Sequence, residues 1–496
     1  MKKTDYTNLE QGIRDVDAVI AQGPYHDDWD SLGMAEAPAW FCGAKFGIFI
    51  HWGVFSVPAY SNEWYPRNMY IKGMPAYEHH IKTYGPQNIF GYKDFIPRYT
   101  MERFNPAEWA ALFKEAGARY VFPLAEHHDG FQMYQSVISH FNAAEMGPKR
   151  DLLGDLKNAL EDAGLVFCTS SHRAEHWFFL GHGKDFDSDV KEPLTRGDLY
   201  WPSMAEPDNQ DLYGEPRPTT EYLQDWLLRT CEIIDRYQPR VIYFDWWVQH
   251  VSFRPYLKKL AAYYHNRGTE WGKDVAICYK HDGMMFGAGI VEVERGKFAD
   301  CKAYKWQTDT AVAKNSWCYV QDLDYKKSID IIRELIDVVS KNGNMLLNVG
   351  PKSDGTIPEG DAHILRDIGT WLAVNGEGIY DSKVWRVSAE GPTIEAEGQF
   401  QDSTEKSYTA EDFRFTVKGG AIYVFALNYP ENGGITIRSL SNSTDPNKPG
   451  FHGVITNVSI LGFAEKPAWA VSAEGLSVTT KTVSQAFPVT IKVDVL

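Results

Sequence analysis

Residues 240–250 read Arg240-Val241-Ile242-Tyr243-Phe244-Asp245-Trp246-Trp247-Val248-Gln249-His250. Val241–Phe244 is a short run of β-branched and aromatic side chains, the pattern of a strand buried on both faces. Asp245 follows at once, with the Trp246-Trp247 pair behind it. A carboxylate at the C-terminal end of a buried strand, framed by aromatic rings, suits a pocket that handles a sugar. The same Asp would also serve as the cap of a following helix or turn. The surrounding chain decides between the two.

Upstream, a helix-then-strand unit recurs. Asn105 suits an N-cap, Pro106 the first helical position and Glu108 a capping box. Trp109, Leu112 and Phe113 then give one apolar face, and Gly117 can close the helix. A strand at 120–124 follows and ends in Glu126-His127-His128-Asp129-Gly130-Phe131. A second helix near 152–163 feeds a strand at 165–169, which ends in Ser170-Ser171-His172. The helix face of Leu223, Trp226, Leu227, Cys231 and Ile234 stops before Pro239 and leads into the strand before Asp245. Helices near 255–266 and 328–341 feed strands at 275–279 and 344–350. A first strand at 45–50 ends in His51-Trp52-Gly53.

Alternating helices and all-buried strands predict a parallel sheet. Seven or eight strand candidates before residue 350 favour an α/β chain of the (β/α)8-barrel type, in which chemistry sits at the C-terminal ends of the strands. His51, His127, His128, His172 and Asp245 all fall just after predicted strands, which weakens the capping reading of Asp245. Beyond residue 376 helical periodicity gives way to short alternating segments at 413–417, 421–427, Gly434–Ile437, 454–460 and Val489–Val495, the pattern of an antiparallel β-sandwich. The expected organisation is a helical lead-in over 1–38, a barrel over 39–375, and a smaller sandwich over 376–496 joined through a linker at 376–383.

Composition narrows the function. The chain has 496 residues, is 44% hydrophobic and carries a net charge of −16, so neither nucleic acid nor an anionic membrane is expected as a partner. The six cysteines show no CxxC or zinc-finger spacing and are read as reduced thiols. No signal peptide and no span of about 18–20 apolar residues is seen, which predicts a cytoplasmic protein. Its 16 Trp, 27 Tyr and 26 Phe suit stacking on sugar rings as well as core packing.

Glycoside hydrolysis commonly needs two carboxylates. Asp245 is the candidate for attack. Glu292 and Glu294 lie two apart in Gly289-Ile290-Val291-Glu292-Val293-Glu294-Arg295-Gly296, so on an extended chain they share a face and raise each other's proton affinity, as a general acid requires. An exposed acidic strand edge gives the same spacing. Four strand-end histidines also raise a zinc or iron site, but HxH and HExxH spacings are absent, and sugar-binding imidazoles fit equally well. His127 and His128 diverge on a regular strand and reach one pocket only if the chain bends, which Asp129-Gly130 allows.

Lys45-Phe46-Gly47-Ile48-Phe49-Ile50-His51-Trp52-Gly53, Glu63-Trp64-Tyr65, His127-His128-Asp129-Gly130-Phe131, residues 346–351 and residues 371–380 together resemble glycoside hydrolase family 29, the α-L-fucosidases. The resemblance runs in order through residues 40–385 and weakens beyond. It implies a retaining exo-α-L-fucosidase without metal or organic cofactor, acting on fucosylated oligosaccharides or glycoconjugates, and is compatible with a homo-oligomer. It also implies Asp245 as the nucleophile, and its Glu-Arg-Gly form favours Glu294 over Glu292 as acid/base. His51, Glu63, Trp64, His127 and His128 become fucose-binding candidates. Where many members end the third strand on a Tyr-Ser pair, this chain has Ser170-Ser171-His172, which implies His172 for that subsite, and Lys280 stands near where some members have an Arg. Tyr243 and Trp306 complete the substrate-binding set. The rival readings are a carbohydrate-binding protein without catalysis, a metal-dependent hydrolase, and a glycosidase for another sugar such as a β-D-galactoside. Linkage preference is assigned to the loops over 55–104 and 180–219.

Overall fold

The computed structural model describes residues 4–402, 406–445, 447, 450–483 and 486–496. Its first part is a closed barrel of parallel strands: β1 (Phe46–Ile50), β2 (Tyr120–Glu126), β3 (Val166–Phe167 and Thr169–Ser171), β4 (Val241–Phe244), β5 (Ala276–Tyr279), β6 (Ile290–Glu294), β7 (Trp306–Ala311) and β8 (Gly343–Val349). Each strand pairs with its neighbours in sequence, and β1 closes the ring by pairing with both β2 and β8. The expected strand at 165–169 is two short segments broken at Cys168.

Side chains alternate between the barrel interior and the helices outside. Phe49, Tyr120, Phe122, Val241, Tyr243, Cys278, Ile290 and Leu346 form the apolar part of the interior. Gln307 and Asp309 of β7 also face inward, bonded by the hydroxyls of Tyr120 and Tyr243 at 2.7 Å each. A polar strand can be buried here because every strand around it supplies a partner.

The outer layer contains α1 (Leu9–Gln22), α2 (Pro106–Glu115), α3 (Leu152–Asp162), α4 (Thr220–Tyr237), α5 (Arg254–Trp271), α6 (Ser328–Ser340) and α7 (Glu359–Asn375). Asn105 caps α2 by accepting the Glu108 N–H at 3.4 Å. α1 packs on α4 and α5, where the Tyr6 hydroxyl donates to Asp235 at 2.6 Å. Strand and helix do not alternate all the way round. β5 runs to β6, and β6 to β7, through connections without a helix.

The C-terminal part packs on α6 and α7, and its residues 395–402 reach the chain that follows β6. Its strands are β9 (Lys383–Glu390), β10 (Phe413–Lys418), β11 (Ala421–Ala426), β12 (Gly434–Ile437), β13 (Ile455–Ile460), β14 (Ala468–Ser472), β15 (Gly475–Thr479) and β16 (Val489–Val495). They form two antiparallel sheets, β9-β10-β11-β16-β13 and β12-β15-β14, around Phe413, Phe415, Val424, Ile435, Leu476 and Ile491. α6 packs against β9 and β10. There Arg414 donates to Asp337 of α6 at 2.5 Å and to Glu395 at 3.0 Å, and Lys297 pairs with Glu395 at 2.8 Å. A buried ionic cluster of this kind costs desolvation on both sides and holds only in one geometry, so it fixes how the two parts meet. No helix among the described residues is long and apolar enough to cross a membrane, and all six cysteines are free thiols.

Candidate active site

The C-terminal ends of the strands surround a cavity of about 430 Å3, the size of a small-ligand cleft. Its wall follows from strand parity. Phe49, Tyr243 and Asp309 point inward and form the floor, and the next inward position on each strand stands above them. Those positions are His51 after β1, His172 after β3, Asp245 after β4, Lys280 after β5, and Glu294 at the end of β6.

Lys280 is the centre of the charged wall. Its Nζ donates to Asp245 Oδ1 at 2.9 Å and to Glu294 Oε2 at 2.8 Å, and lies 3.6 Å from Asp309. Burial opposes its charge, but the three carboxylates outweigh burial and raise its pKa well above the usual lysine range. Asp245 receives two further contacts on Oδ2, from His172 Nδ1 at 3.0 Å and His128 Nε2 at 3.5 Å. Burial alone would raise its carboxyl, yet Lys280 and the two imidazoles hold it well below the usual carboxylate range. Glu294 has only Lys280 to oppose burial and the repulsion of Asp309 and Asp245, and its pKa is pushed up to about 7. Two carboxyls held by one ammonium are thus set in opposite states near neutral pH.

Glu292 sits one layer deeper, buried beside Gln307, whose Nε2 donates to it at 3.0 Å. Burial and the nearby Asp309 push its pKa well up, but it lies below the cavity.

The opposite wall is built of imidazoles. His51 Nδ1 lies 2.7 Å from Asn348 Oδ1, and the Asn348 amide is oriented by its own donation to the Trp317 carbonyl at 2.6 Å. The proton therefore sits on His51 Nδ1 and Nε2 is an acceptor. Burial, with His172 nearby, keeps that ring neutral. An ionised Asp245 likewise fixes the His172 proton on Nδ1, so His172 Nε2 accepts from the Ser170 hydroxyl at 3.2 Å. His128 differs. Burial would lower it, but Glu175 at 3.3 Å and Asp245 raise it to about 9, making it an imidazolium wedged between two carboxylates. His127 is neutral through burial, and its Nδ1 has no hydrogen-bond partner among the described residues. The bend expected at Asp129-Gly130 is present, with Gly130 at φ +79°, and both His127 and His128 reach the cavity.

Glu63 is buried at the rim and accepts the Trp317 N–H at 3.2 Å, its pKa raised by burial. The Trp64 ring lies 5.7 Å from His128 and 5.4 Å from Phe179. Tyr243 lies under His172 with ring centres 5.8 Å apart. The structure thus brings together His51, Glu63, Trp64, His127, His128, His172, Tyr243, Asp245 and Glu294. It does not bring Trp306 there. Gln307 and Asp309 face inward, so Trp306 faces out, at the first position of β7 and the far end of the barrel from the cavity. Its indole donates to the Lys341 carbonyl at 2.9 Å and packs edge-on to Phe298. Sequence reading missed Asp309 and Asn348, which sit in strands, and Trp317, which stacks on His51 at 5.3 Å. It also missed Gln399 and Phe400, which come from beyond the expected domain boundary.

Two groups, His51/His127/His172 and His128/His172/Asp245, have donor atoms close enough to surround a cation. They share His172, whose two nitrogens are already engaged with Asp245 and Ser170. A cation in either place would have to break those bonds.

Comparison with known proteins places the chain in a family and matches its fold. The family model described as "Alpha-L-fucosidase" matches residues 13–377. The tissue α-L-fucosidase of Homo sapiens is 32% identical over 461 residues, covering 92% of this chain and 87% of the human one. The structure of an α-fucosidase of Thermotoga maritima in complex with fucose superimposes with a TM-score of 0.73 at 31% identity, covering 95% of this chain and 100% of that one. The same enzyme in complex with a mechanism-based inhibitor gives 0.74 at 31% identity, with 95% and 99% covered.

Proposed function

This chain belongs to the α-L-fucosidase family, glycoside hydrolase family 29, and from that premise we propose that it is a retaining exo-α-L-fucosidase acting on fucosylated glycans. The observation that carries the reading is the split between Asp245, held ionised, and Glu294, held protonated up to about pH 7. Asp245 attacks the anomeric carbon and forms a fucosyl ester. The bond to the departing oxygen breaks, and the Glu294 proton goes to that oxygen. Glu294, now ionised, takes a proton from water, whose oxygen attacks the same carbon. The ester bond breaks, fucose leaves, and both carboxyls return to their starting states.

The shared ammonium supports retention over inversion. Two oxygens bonded to one Nζ at 2.9 and 2.8 Å lie no farther apart than those bonds laid end to end. An inverting pair needs about 6.5–9.5 Å for its water, a retaining pair about 5–5.5 Å. His51 Nε2 and His127 Nδ1 offer unused polar atoms for sugar hydroxyls, and Trp64 an apolar face for the ring edge and its methyl group.

The test is hydrolysis of 4-nitrophenyl α-L-fucoside by wild type, Asp245→Ala, Glu294→Ala and Glu292→Ala, each with and without azide. Turnover should vanish in Asp245→Ala, and of the two glutamate variants azide should restore rate to Glu294→Ala alone, giving the retained α-fucosyl azide, because azide needs no base; any azide product of Asp245→Ala should be the inverted β-azide. Rescue of Glu292→Ala in its place would reassign the acid/base. Near-normal rate in Asp245→Ala would end the nucleophile assignment.

A further inference from the structure

Phe400 is out of keeping with the rest of the cavity wall. It is 62% exposed and lines the same cavity as Trp246, His281 and Glu294, and its backbone is left-handed at φ +56°, where a Phe is disfavoured. It belongs to no apolar core, yet its backbone is firmly held. Residues 398–402 run back across the exit of β6, in the sector where the barrel has no outer helix. Lys297 and Gly398 exchange backbone hydrogen bonds at 3.2 and 3.0 Å, Phe400 N–H donates to the Glu294 carbonyl at 3.0 Å, and Gln401 and Asp402 N–H donate to the Arg295 carbonyl at 2.7 and 3.0 Å. Asp402 anchors the end, accepting from Arg295 at 3.2 Å, Thr310 at 2.7 Å and Lys326 at 2.5 Å. A Cβ on Gly296 would lie 2.0 Å from the Gly398 carbonyl oxygen, so that close crossing depends on the glycine.

A rigid backbone that presents an aromatic ring to solvent, one hydrogen bond from the residue that protonates the leaving oxygen, faces whatever that oxygen belongs to. We propose that Phe400 is the stacking platform for the first sugar of the leaving glycan, so that the C-terminal part of the chain sets aglycone preference. The proposal rests on Glu294 being the acid/base. The apolar C–H face of a pyranose covers the ring and removes its exposed surface from water, which is how a single aromatic contributes affinity in a polar site.

The test compares two leaving groups. α-L-Fucosyl fluoride departs as a single atom, whereas α-L-fucosyl-(1→2)-galactose and α-L-fucosyl-(1→3)-N-acetylglucosamine carry a ring. Phe400→Ala should lower kcat/KM for whichever disaccharide wild type prefers about tenfold more than for the fluoride, mainly through KM. Phe400→Tyr, which keeps the ring, should hold the wild-type ratio within about twofold, and matched melting temperatures would show that the fold is kept. Parallel losses on fluoride and disaccharide, no loss on either, or equal effects of Ala and Tyr would overturn the platform. So would a wild type that cleaves the fluoride and neither disaccharide. Failure of wild type on the fluoride would instead bring down the fucosidase reading itself.

Discussion

The two sides of the cavity are made differently. From β1 to β4 each strand is followed by a helix, and the wall is a row of imidazoles, three of them neutral, of which His51 and His172 are hydrogen-bonded to neighbours. From β5 to β7 the first two connections carry no helix, and the wall is an ammonium among carboxyls, overlapped by residues 398–402. One side offers fixed hydrogen-bond acceptors to hold a sugar. The other holds charge in a strained balance, where removal of one group changes the ionisation of the rest. Substitutions on the first side should therefore act on binding, and those on the second on proton transfer.

The largest effect falls where the sides meet. Asp245→Gly should lower kcat for 4-nitrophenyl α-L-fucoside by about 10^4-fold or more without lowering the melting temperature, as a lost nucleophile does. Glu294→Ala should cost about 10^2–10^4-fold, more on poor leaving groups than on good ones.

The charged side also sets the pH profile. Glu294 must be protonated to act as acid, so kcat/KM should fall as pH rises through about 7. Asp245 must be ionised, so the acid limb should lie below the ordinary carboxylate range. Lys280 lowers both groups. Lys280→Met should therefore move both limbs to higher pH, and an unmoved alkaline limb would show that Lys280 does not govern Glu294. On the imidazole side, His51→Ala should raise KM by about tenfold, the worth of roughly one hydrogen bond, and leave both limbs in place. A shifted pH profile there would dissolve the division of labour.

The sequence revealed these sides unequally, for physical reasons. β1, β4 and most of β2 are continuous apolar runs, and each strand is followed at once by a polar side chain that reaches the cavity, so His51, His127 and Asp245 were legible together. β7 was not. Gln307, Thr308, Asp309 and Thr310 carry no apolar pattern, and they are buried because Tyr120, Tyr243, the Val293 carbonyl and Asp402 meet them. Without that strand's parity Trp306 could not be seen to face outward. β14 and β9 lie largely on the surface and alternate weakly, so they too were missed. Phe400 reaches the cavity through contacts between residues about a hundred positions apart, and local periodicity does not encode such contacts. The smallest predicted effect checks the parity argument: Trp306→Phe should leave kcat and KM within about twofold and lower stability by roughly 1 kcal/mol for the lost buried hydrogen bond, read by thermal denaturation.

The central claim is that Asp245 becomes covalently bonded to the sugar. Incubation with 2-deoxy-2-fluoro-α-L-fucosyl fluoride, digestion and peptide mass spectrometry test it most directly. The expected result is one fluorofucosyl group per chain, on the peptide carrying Asp245 and absent from Asp245→Gly. A label on the peptide carrying Glu292 and Glu294, or turnover of the reagent to inverted product with no adduct, would contradict the account.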